Sequence, residues 1–173
     1  MLKIKKIVAI GISVFTLLSY GSLLASAASV SRTIDNDPKA DSGNTHGYYG
    51  FSYLSSGSCY NSDARIASSV SGNYYAWVHP QTSLGSPTSV TVKLQVYLNH
   101  SRFNDPAAQY LVMKDGSLAT VATINQNTAP GGWGYTYTKT ISSCTILNQV
   151  RVRASNAPGK ETGADGVNVV YSY

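Results

Sequence analysis

The sequence has very little charge and carries few of the patterns that mark enzymes. Only 12% of its 173 residues are charged, and Glu161 is the one glutamate. His46, His79 and His100 are far apart, and no G-x-S-x-G, H-E-x-x-H, P-loop or EF-hand pattern occurs. These absences argue against the common hydrolase, zinc and nucleotide sites. No catalytic residue, metal site or cofactor is therefore predicted.

Long apolar runs are confined to the first 28 residues. Three lysines precede an uncharged apolar run, 7–24, and Ala25-Ser26-Ala27 follows it. This order is typical of a cleaved secretory signal peptide. The run is marginal for spanning a bilayer, and no cysteine follows it to carry a lipid. We therefore expect a secreted, extracellular protein, free or associated with the cell surface, without a stable membrane anchor.

Basic charge is also scarce once the predicted signal peptide is set aside. Its three lysines leave 10 basic residues against 8 acidic ones, so the formal net charge falls from +5 to +2. No basic run occurs in the remainder. This pattern argues against a nucleic-acid partner.

Cysteine is rare, with only Cys59 and Cys144 present. In an exported protein such a pair favours a disulfide, which here would close a loop of 85 residues and contribute about 4 kcal/mol in the chain-entropy model. A catalytic thiol is the alternative, but no local motif supplies a base. The sequence therefore predicts a Cys59–Cys144 disulfide.

Strand patterns fill the chain after the polar segment 29–44, which is itself a leader or an irregular first strand. Apolar and polar residues alternate with period two, and no convincing amphipathic helix occurs. The pattern predicts an all-β domain over 45–173, an antiparallel two-sheet β-sandwich of jelly-roll type, with a closed barrel as the alternative. About eight strands are expected: Gly47–Leu54, Asn73–His79, Val90–Leu98, Gln109–Met113, Leu118–Asn125, Trp133–Ile141, Val150–Ala154 and Val167–Tyr173.

Two polar segments are candidate sites. The loop after the strongest strand holds Asn99, His100 and Arg102, and it is predicted to be a solvated turn, with ligand binding by these side chains as the alternative. Asp35, Asp37 and Asp41 could supply oxygen ligands to calcium, but their spacing matches no standard loop. We therefore predict no metal at the second segment.

Tyrosine is the abundant aromatic residue, and 12 of the 13 tyrosines follow the predicted signal peptide. Tyrosine and tryptophan suit sugar rings and protein contacts alike, but they are also good strand residues. Tyr97 lies opposite the aliphatic face of its strand and is the best candidate for an exposed ring. Tyr135 and Tyr137 share a predicted face with Trp133 and with Ile141, so the core is the alternative position for that face. Trp77 is expected in the core.

The order of several short motifs resembles the golvesin-like domain, also called the xanthan-lyase carbohydrate-binding-like domain. That family runs A-W-x-P, an aliphatic strand, A-x-Y, N-Q, G-G-W and a terminal A-D-A-V. The matching segments in this sequence are Ala76–Pro80, Val90–Leu98, Ala108–Tyr110, Asn125-Gln126, Gly131–Trp133 and Ala164–Val167. Gly166 stands where that family has a small apolar residue in A-D-A-V. The resemblance implies a β-sandwich that accompanies secreted enzymes and holds glycans, and it implies no catalytic residues.

The leading functional prediction is a secreted, non-catalytic sandwich that binds carbohydrate, either a polysaccharide or a cell-wall polymer, as a monomer or with weak self-association. One alternative is a secreted interaction or defence protein, such as a bacteriocin-like factor or a biofilm-matrix component. Another is a small hydrolase acting on polysaccharide. The candidate ligand-binding residues are Tyr97, Asn99, His100, Arg102, Tyr135 and Tyr137.

Overall fold

The computed structural model describes residues 28–36 and 45–173, so the predicted signal peptide up to Ala27, and Asp37 and Asp41, lie outside the described residues. Within these ranges the chain forms ten strands, a 3₁₀ turn at Tyr60–Ser62 and no α-helix. No described segment could cross a bilayer as a helix. The strands are β1 (Ser29–Ile34), β2 (Thr45–Tyr49), β3 (Ser52–Ser55), β4 (Asp63–Ser68), β5 (Tyr74–Tyr97), β6 (Ala108–Lys114), β7 (Ser117–Ile124), β8 (Trp133–Arg153), β9 (Glu161–Ala164) and β10 (Val167–Ser172).

Two of these strands are much longer than the sequence predicts. β5 contains 24 residues and β8 contains 21, and each joins two strands that the period-two pattern separates. The segment Gly85-Ser86-Pro87, whose composition favours a turn, lies inside β5, where Gly85 has a φ of +75°. Shifts in the β5–β8 register at this region mark a bend in both strands.

The bend lets one hydrogen-bonded sheet supply both layers of the sandwich. In the first layer, Tyr74–Val78 of β5 pairs with β2 and with Gln149–Arg153 of β8, and β6 and β7 extend it. In the second layer, Val90–Tyr97 of β5 pairs with Trp133–Ile141 of β8 and with β10, which pairs with β1. A separate sheet contains β3, β4 and β9. The predicted all-β antiparallel sandwich is confirmed, with ten strands in the described ranges instead of about eight.

The two layers bury one common core. Trp77 is fully buried there, as predicted, and its indole N–H donates to the carbonyl oxygen of Asp165 at 2.9 Å. The aliphatic face of β5 is buried as its alternation predicts. The core side chains include Tyr75, Trp77, Tyr110, Val112, Val150 and Val152 from the first layer and Val90, Val92, Leu94, Val96, Val167, Val169 and Tyr171 from the second.

The loop that follows Leu98 is predicted to be a solvated turn, and this is wrong for its later residues, 103–105. Phe103 and Asp105 are buried, and Phe103 packs where any side chain at position 163 would lie, so Gly163 is required there. The Asp105 carboxylate accepts hydrogen bonds from the hydroxyls of Ser69 (2.9 Å), Thr162 (2.6 Å) and Ser155. Burial alone would raise the pKa of Asp105, but these bonds outweigh it and hold the pKa below its ordinary value. The carboxylate therefore ties the loop to its neighbours.

The predicted disulfide is also wrong. Cys59 and Cys144 are buried free thiols. Cys59 lies near Asp165, and burial together with this carboxyl group raises the pKa of Cys59 to about 11. The Cys144 thiol instead contacts the carbonyl oxygen of Ile146 in β8. The two thiols thus have different neighbours in the fold. The spacing of two cysteines in the sequence does not predict whether the fold brings them together. Burial also raises the pKa of Cys144, so neither thiol is an activated nucleophile.

Candidate functional site

Three aromatic rings form a cluster on the outward side of the second layer. The rings of Tyr60, Tyr97 and Trp133 are half-buried, with centroids 5.5 Å apart for Tyr60–Tyr97, 5.2 Å for Tyr60–Trp133 and 5.5 Å for Tyr97–Trp133. Each ring packs tilted or edge-on against the other two. Such packing fixes ring orientation while leaving part of each surface open to a ligand. We call these three residues the aromatic cluster.

A register shift brings Trp133 into the cluster. In β5 and β8, Gln95 lies opposite Thr136, but Tyr97 lies opposite Trp133, which is one residue further along than regular pairing would give. Trp133 therefore projects outward with Tyr97. Tyr137 lies opposite Leu94 and packs against the core, which is the alternative for its face, but it does not share a face with Trp133 as predicted.

The position of the third ring, Tyr60, depends on a turn and on a neighbouring glycine. Tyr60 begins the 3₁₀ turn, and its backbone N–H donates to Asp165 Oδ2 at 3.1 Å. A Cβ at position 166 would lie 2.9 Å from Tyr60 Cδ1 and 3.1 Å from Trp133 Cη2. Gly166 therefore leaves the space in which these two rings meet.

A depression of about 410 Å³ lies beside the aromatic cluster. Besides Tyr60 and Trp133 it is lined by Thr33, Gln95 and Asn168, which lie side by side in the register of β1, β10 and β5. Asn168 Nδ2 donates to Thr33 Oγ1 at 2.8 Å. These lining side chains offer hydroxyl and amide groups and carry no charge. The surface can therefore combine ring contacts with neutral hydrogen bonds.

Buried carboxylates lie behind the cluster. Asp165 is 2% exposed, and burial raises its pKa to about 8, against the hydrogen bonds from the N–H groups of Tyr60 and Gly166. The charges of Asp35 and Asp63 raise the pKa further. Asp165 therefore holds the Tyr60 backbone while remaining largely protonated at neutral pH.

Asn99 and His100 line a second depression, of about 350 Å³, with Leu98, Phe103 and Gln126. Asn99 is exposed and donates from Nδ2 to the carbonyl oxygen of Ser58 at 3.0 Å. The His100 ring lies 5.4 Å from the Phe103 ring. The structure therefore brings Asn99 and His100 together, in a depression different from that of the aromatic cluster.

Arg102 is not a free ligand-binding group. Its guanidinium forms a bidentate ion pair with Glu161, with Nε 2.8 Å from Oε2 and Nη2 contacting Oε1. This pairing raises the pKa of Arg102 and lowers that of Glu161 through hydrogen bonding and charge. The side chain of Tyr135 lies outside what the structure describes. Of the predicted site residues, only Tyr97 belongs to the aromatic cluster.

Five residues of this site are absent from the predicted set: Thr33, Tyr60, Gln95, Trp133 and Asn168. Gln95 is two residues from Tyr97 in an alternating strand, so period two could have placed both on one face. Asn168 could have been added only with knowledge that β10 pairs with β5. Tyr60 lies in a turn, and its position gives no periodic signal.

The remaining tyrosines have several different positions. Tyr75, Tyr110 and Tyr171 are fully buried, and burial raises the pKa of each. Tyr48, Tyr49 and Tyr53 are 59–66% exposed. The tyrosine content thus reflects the core and at least two separate surfaces.

The described acids fall into a buried group and a more exposed group whose side chains are held by other residues. Asp35, Asp63, Asp105 and Asp165 are buried, and the more exposed Asp115 and Glu161 are held by Thr145 and Arg102. No group of three metal-ligating side chains occurs within 28–36 and 45–173. The calcium candidates Asp37 and Asp41 are outside these ranges.

Comparison with known proteins identifies the fold. No protein-family model matches the chain, and no curated protein matches it. A Paenibacillus xanthan lyase matches 81% of this chain over 13% of its own length, with 15% identity and a TM-score of 0.55. The likeness is one of fold.

Two carbohydrate-binding modules superpose less well. A family 29 module complexed with mannohexaose has 16% identity and a TM-score of 0.46, covering 85% of this chain and 92% of the module. A family 35 module from Cellvibrio japonicus has 12% identity and a TM-score of 0.48, covering 81% and 92%.

Proposed function

We propose that this protein is a secreted, non-catalytic domain that binds carbohydrate through the aromatic cluster and the depression beside it. The observation that carries the proposal is Trp133, half-buried against Tyr60 and Tyr97 and bordering uncharged hydroxyl and amide groups. A sugar ring presents a C–H face and a rim of hydroxyls, which match these two kinds of surface. The predicted signal peptide and the motif order resembling the golvesin-like domain support the same proposal.

Binding to neutral polysaccharides tests the proposal. Truncating a packed aromatic anchor removes about 2 kcal/mol or more of binding free energy, so Trp133→Ala should bind about 30-fold more weakly than wild type. Retention on a glycan array and on insoluble polysaccharide at 300 mM NaCl measures this loss. High salt keeps charge attraction from contributing.

Tyr53→Ala is the matched control, because Tyr53 is 60% exposed and lies in β3, outside the aromatic cluster. This variant should bind as wild type does. Failure of wild type to bind any neutral glycan, or equal binding by Trp133→Ala, would refute the proposal. Circular dichroism of both variants verifies that each is folded.

A second candidate function, an interaction or matrix role, is favoured by the exposed Tyr48, Tyr49 and Tyr53. Exposed aromatic side chains are a common feature of protein contacts. Light scattering over a concentration series separates the two candidates. Oligomers that dissociate on dilution favour the interaction role, whereas a strict monomer counts against it.

A further inference from the structure

The outward side of the first layer carries a second surface, which we call the arginine face: Tyr49, Tyr74, Gln109, Arg151 and Arg153. In the strand register Tyr49 lies opposite Tyr74, Tyr74 opposite Arg153, and Arg153 opposite Gln109. Their neighbours Tyr75, Val150 and Val152 point into the core, so these five residues project to the other side.

The charge on this face is positive and uncompensated. Arg151 and Arg153 are two residues apart on one strand, which separates their backbone positions by about 7 Å. Neither forms an ion pair with a described carboxylate. The strands of the first layer, including the halves of β5 and β8 that belong to it, contain no Asp or Glu. Burial and the charge of Arg153 lower the pKa of Arg151, as expected for neighbouring cations without a counter-ion.

The Arg151 guanidinium is already oriented. It lies over the Tyr74 ring, 4.2 Å from the centroid, and stacking of this kind leaves its N–H groups available for hydrogen bonds. When the amide oxygen of Gln149 faces Arg151, it accepts hydrogen bonds from Arg151 Nε at 2.9 Å and from Nη2 at 3.1 Å. The remaining N–H groups of the guanidinium are then available to a ligand. A carboxylate would therefore meet a guanidinium held in place.

An aromatic surface adjoins these cations. Tyr49 is 66% exposed beside Tyr74, and Gly47, two residues before Tyr49 in the same strand, has no side chain to obstruct the surface. Tyrosine rings and guanidinium groups lie on neighbouring strands. A polysaccharide whose sugar rings carry carboxylates could contact both at once, with its rings on the tyrosines and its carboxylates on the arginines. Nucleic acid fits less well, since two arginines are few against phosphates spaced about 3.4 Å apart on each strand.

We propose that the arginine face binds a carboxylated polysaccharide, with Arg151 and Arg153 bonding to carboxylates and Tyr49 and Tyr74 contacting sugar rings. This surface is separate from the aromatic cluster and binds independently of it. Each charge-assisted hydrogen bond to a carboxylate contributes enough free energy for about a tenfold change in affinity.

Affinity electrophoresis and calorimetry with polygalacturonate test the proposal, and its fully methyl-esterified form supplies the same backbone without charge. Wild type should bind polygalacturonate at 50 mM NaCl and at least about tenfold more weakly at 300 mM. The double variant R151Q/R153Q should lose at least about tenfold at 50 mM. The matched double variant K139Q/K160Q removes the same charge from exposed lysines elsewhere and should bind as wild type does.

Equal binding by R151Q/R153Q and K139Q/K160Q would overturn the proposal, as would no wild-type binding to polygalacturonate or equal binding of the ester. Tighter binding to polyphosphate or to duplex DNA would overturn the choice of a carboxylated glycan. Trp133→Ala should bind polygalacturonate at 50 mM NaCl as wild type does. Binding of Trp133→Ala to neutral glycans at 300 mM NaCl tests the aromatic cluster alone. The two experiments therefore distinguish failure of the arginine-face proposal from failure of the aromatic-cluster proposal.

Discussion

Asp165 links the stability of the fold to the geometry of the aromatic cluster. Its carboxylate accepts hydrogen bonds from the N–H groups of Tyr60 and Gly166, and its carbonyl oxygen accepts from Trp77. The ionised form of Asp165 would be a buried negative charge with few positive charges near it. The protonated form is therefore favoured, and burial is the main reason for a pKa of about 8.

This pKa predicts that stability falls as the pH rises. Since the folded-state pKa lies above the ordinary value of 3.8, the folded protein binds more protons than the unfolded chain between about pH 4 and pH 8. Ionisation of Asp165 therefore costs folding free energy across this window, by up to about 1.4 kcal/mol per pH unit. We expect urea unfolding to give a lower free energy of unfolding at pH 8 than at pH 5.

The variant Asp165→Asn cannot ionise and should flatten this profile, although loss of one acceptor should lower its stability at pH 5. Asp115→Asn alters an exposed carboxylate instead and should keep the wild-type slope between pH 5 and pH 8. A profile for Asp165→Asn as steep as that of wild type would show that another group is responsible.

At the scale of elements, the hairpin of β6 and β7 braces the bend in β8. Lys114 Nζ donates to the carbonyl oxygen of Ser142 at 2.8 Å. The Asp115 carboxylate accepts from the backbone N–H groups of Thr145 (3.1 Å) and Ile146 (2.9 Å). Ser143, between these contacts, has a φ of +50°, which extended strands do not adopt. The hairpin tip thus binds backbone groups that the bend removes from the strand ladder.

Substitution of Asp115 should therefore weaken the bend and not only the turn. Asp115 has a φ of +48°, which glycine adopts without strain, so Asp115→Gly removes the carboxylate while suiting the backbone. We expect its melting temperature to fall, with Asp115→Asn in between because its amide oxygen still accepts. Differential scanning calorimetry, with the exposed Ser117→Ala as control, measures the effect. A melting temperature equal to wild type in Asp115→Gly would contradict the bracing role.

The same hairpin shows what sequence can predict at this scale. The turn at Lys114-Asp115-Gly116 is predictable, because Asp and Gly are suited to positive φ between two strands. Glycine and proline at Gly85–Pro87 give an equally strong turn signal, yet there they make an irregularity inside β5. Local turn chemistry does not distinguish a reversal of the chain from a bulge, because the difference depends on pairing with distant residues.

At the scale of the whole molecule, alternation predicts faces but not which faces meet. The buried face of β5 and the outward position of Tyr97 follow from period two. The half-burial of Tyr97 depends on Tyr60 and Trp133, which arrive through a turn and a register shift. Likewise Arg151 and Arg153 alternate with valines in the sequence, but their proximity to Tyr74 requires the β5–β8 pairing. Long-range pairing therefore determines both proposed surfaces.

The free cysteines give a prediction for the molecule as a whole. A disulfide across 85 residues would contribute about 4 kcal/mol by restricting the unfolded chain, whereas in the structure both cysteines are free thiols. Thiol titration in denaturant without reductant should give two thiols per chain, whereas the folded protein should react slowly because both are buried. Adding reductant should leave the melting temperature unchanged. Absence of titratable thiols, together with a lower melting temperature on reduction, would show that the two cysteines are joined and that the strands around them pack differently.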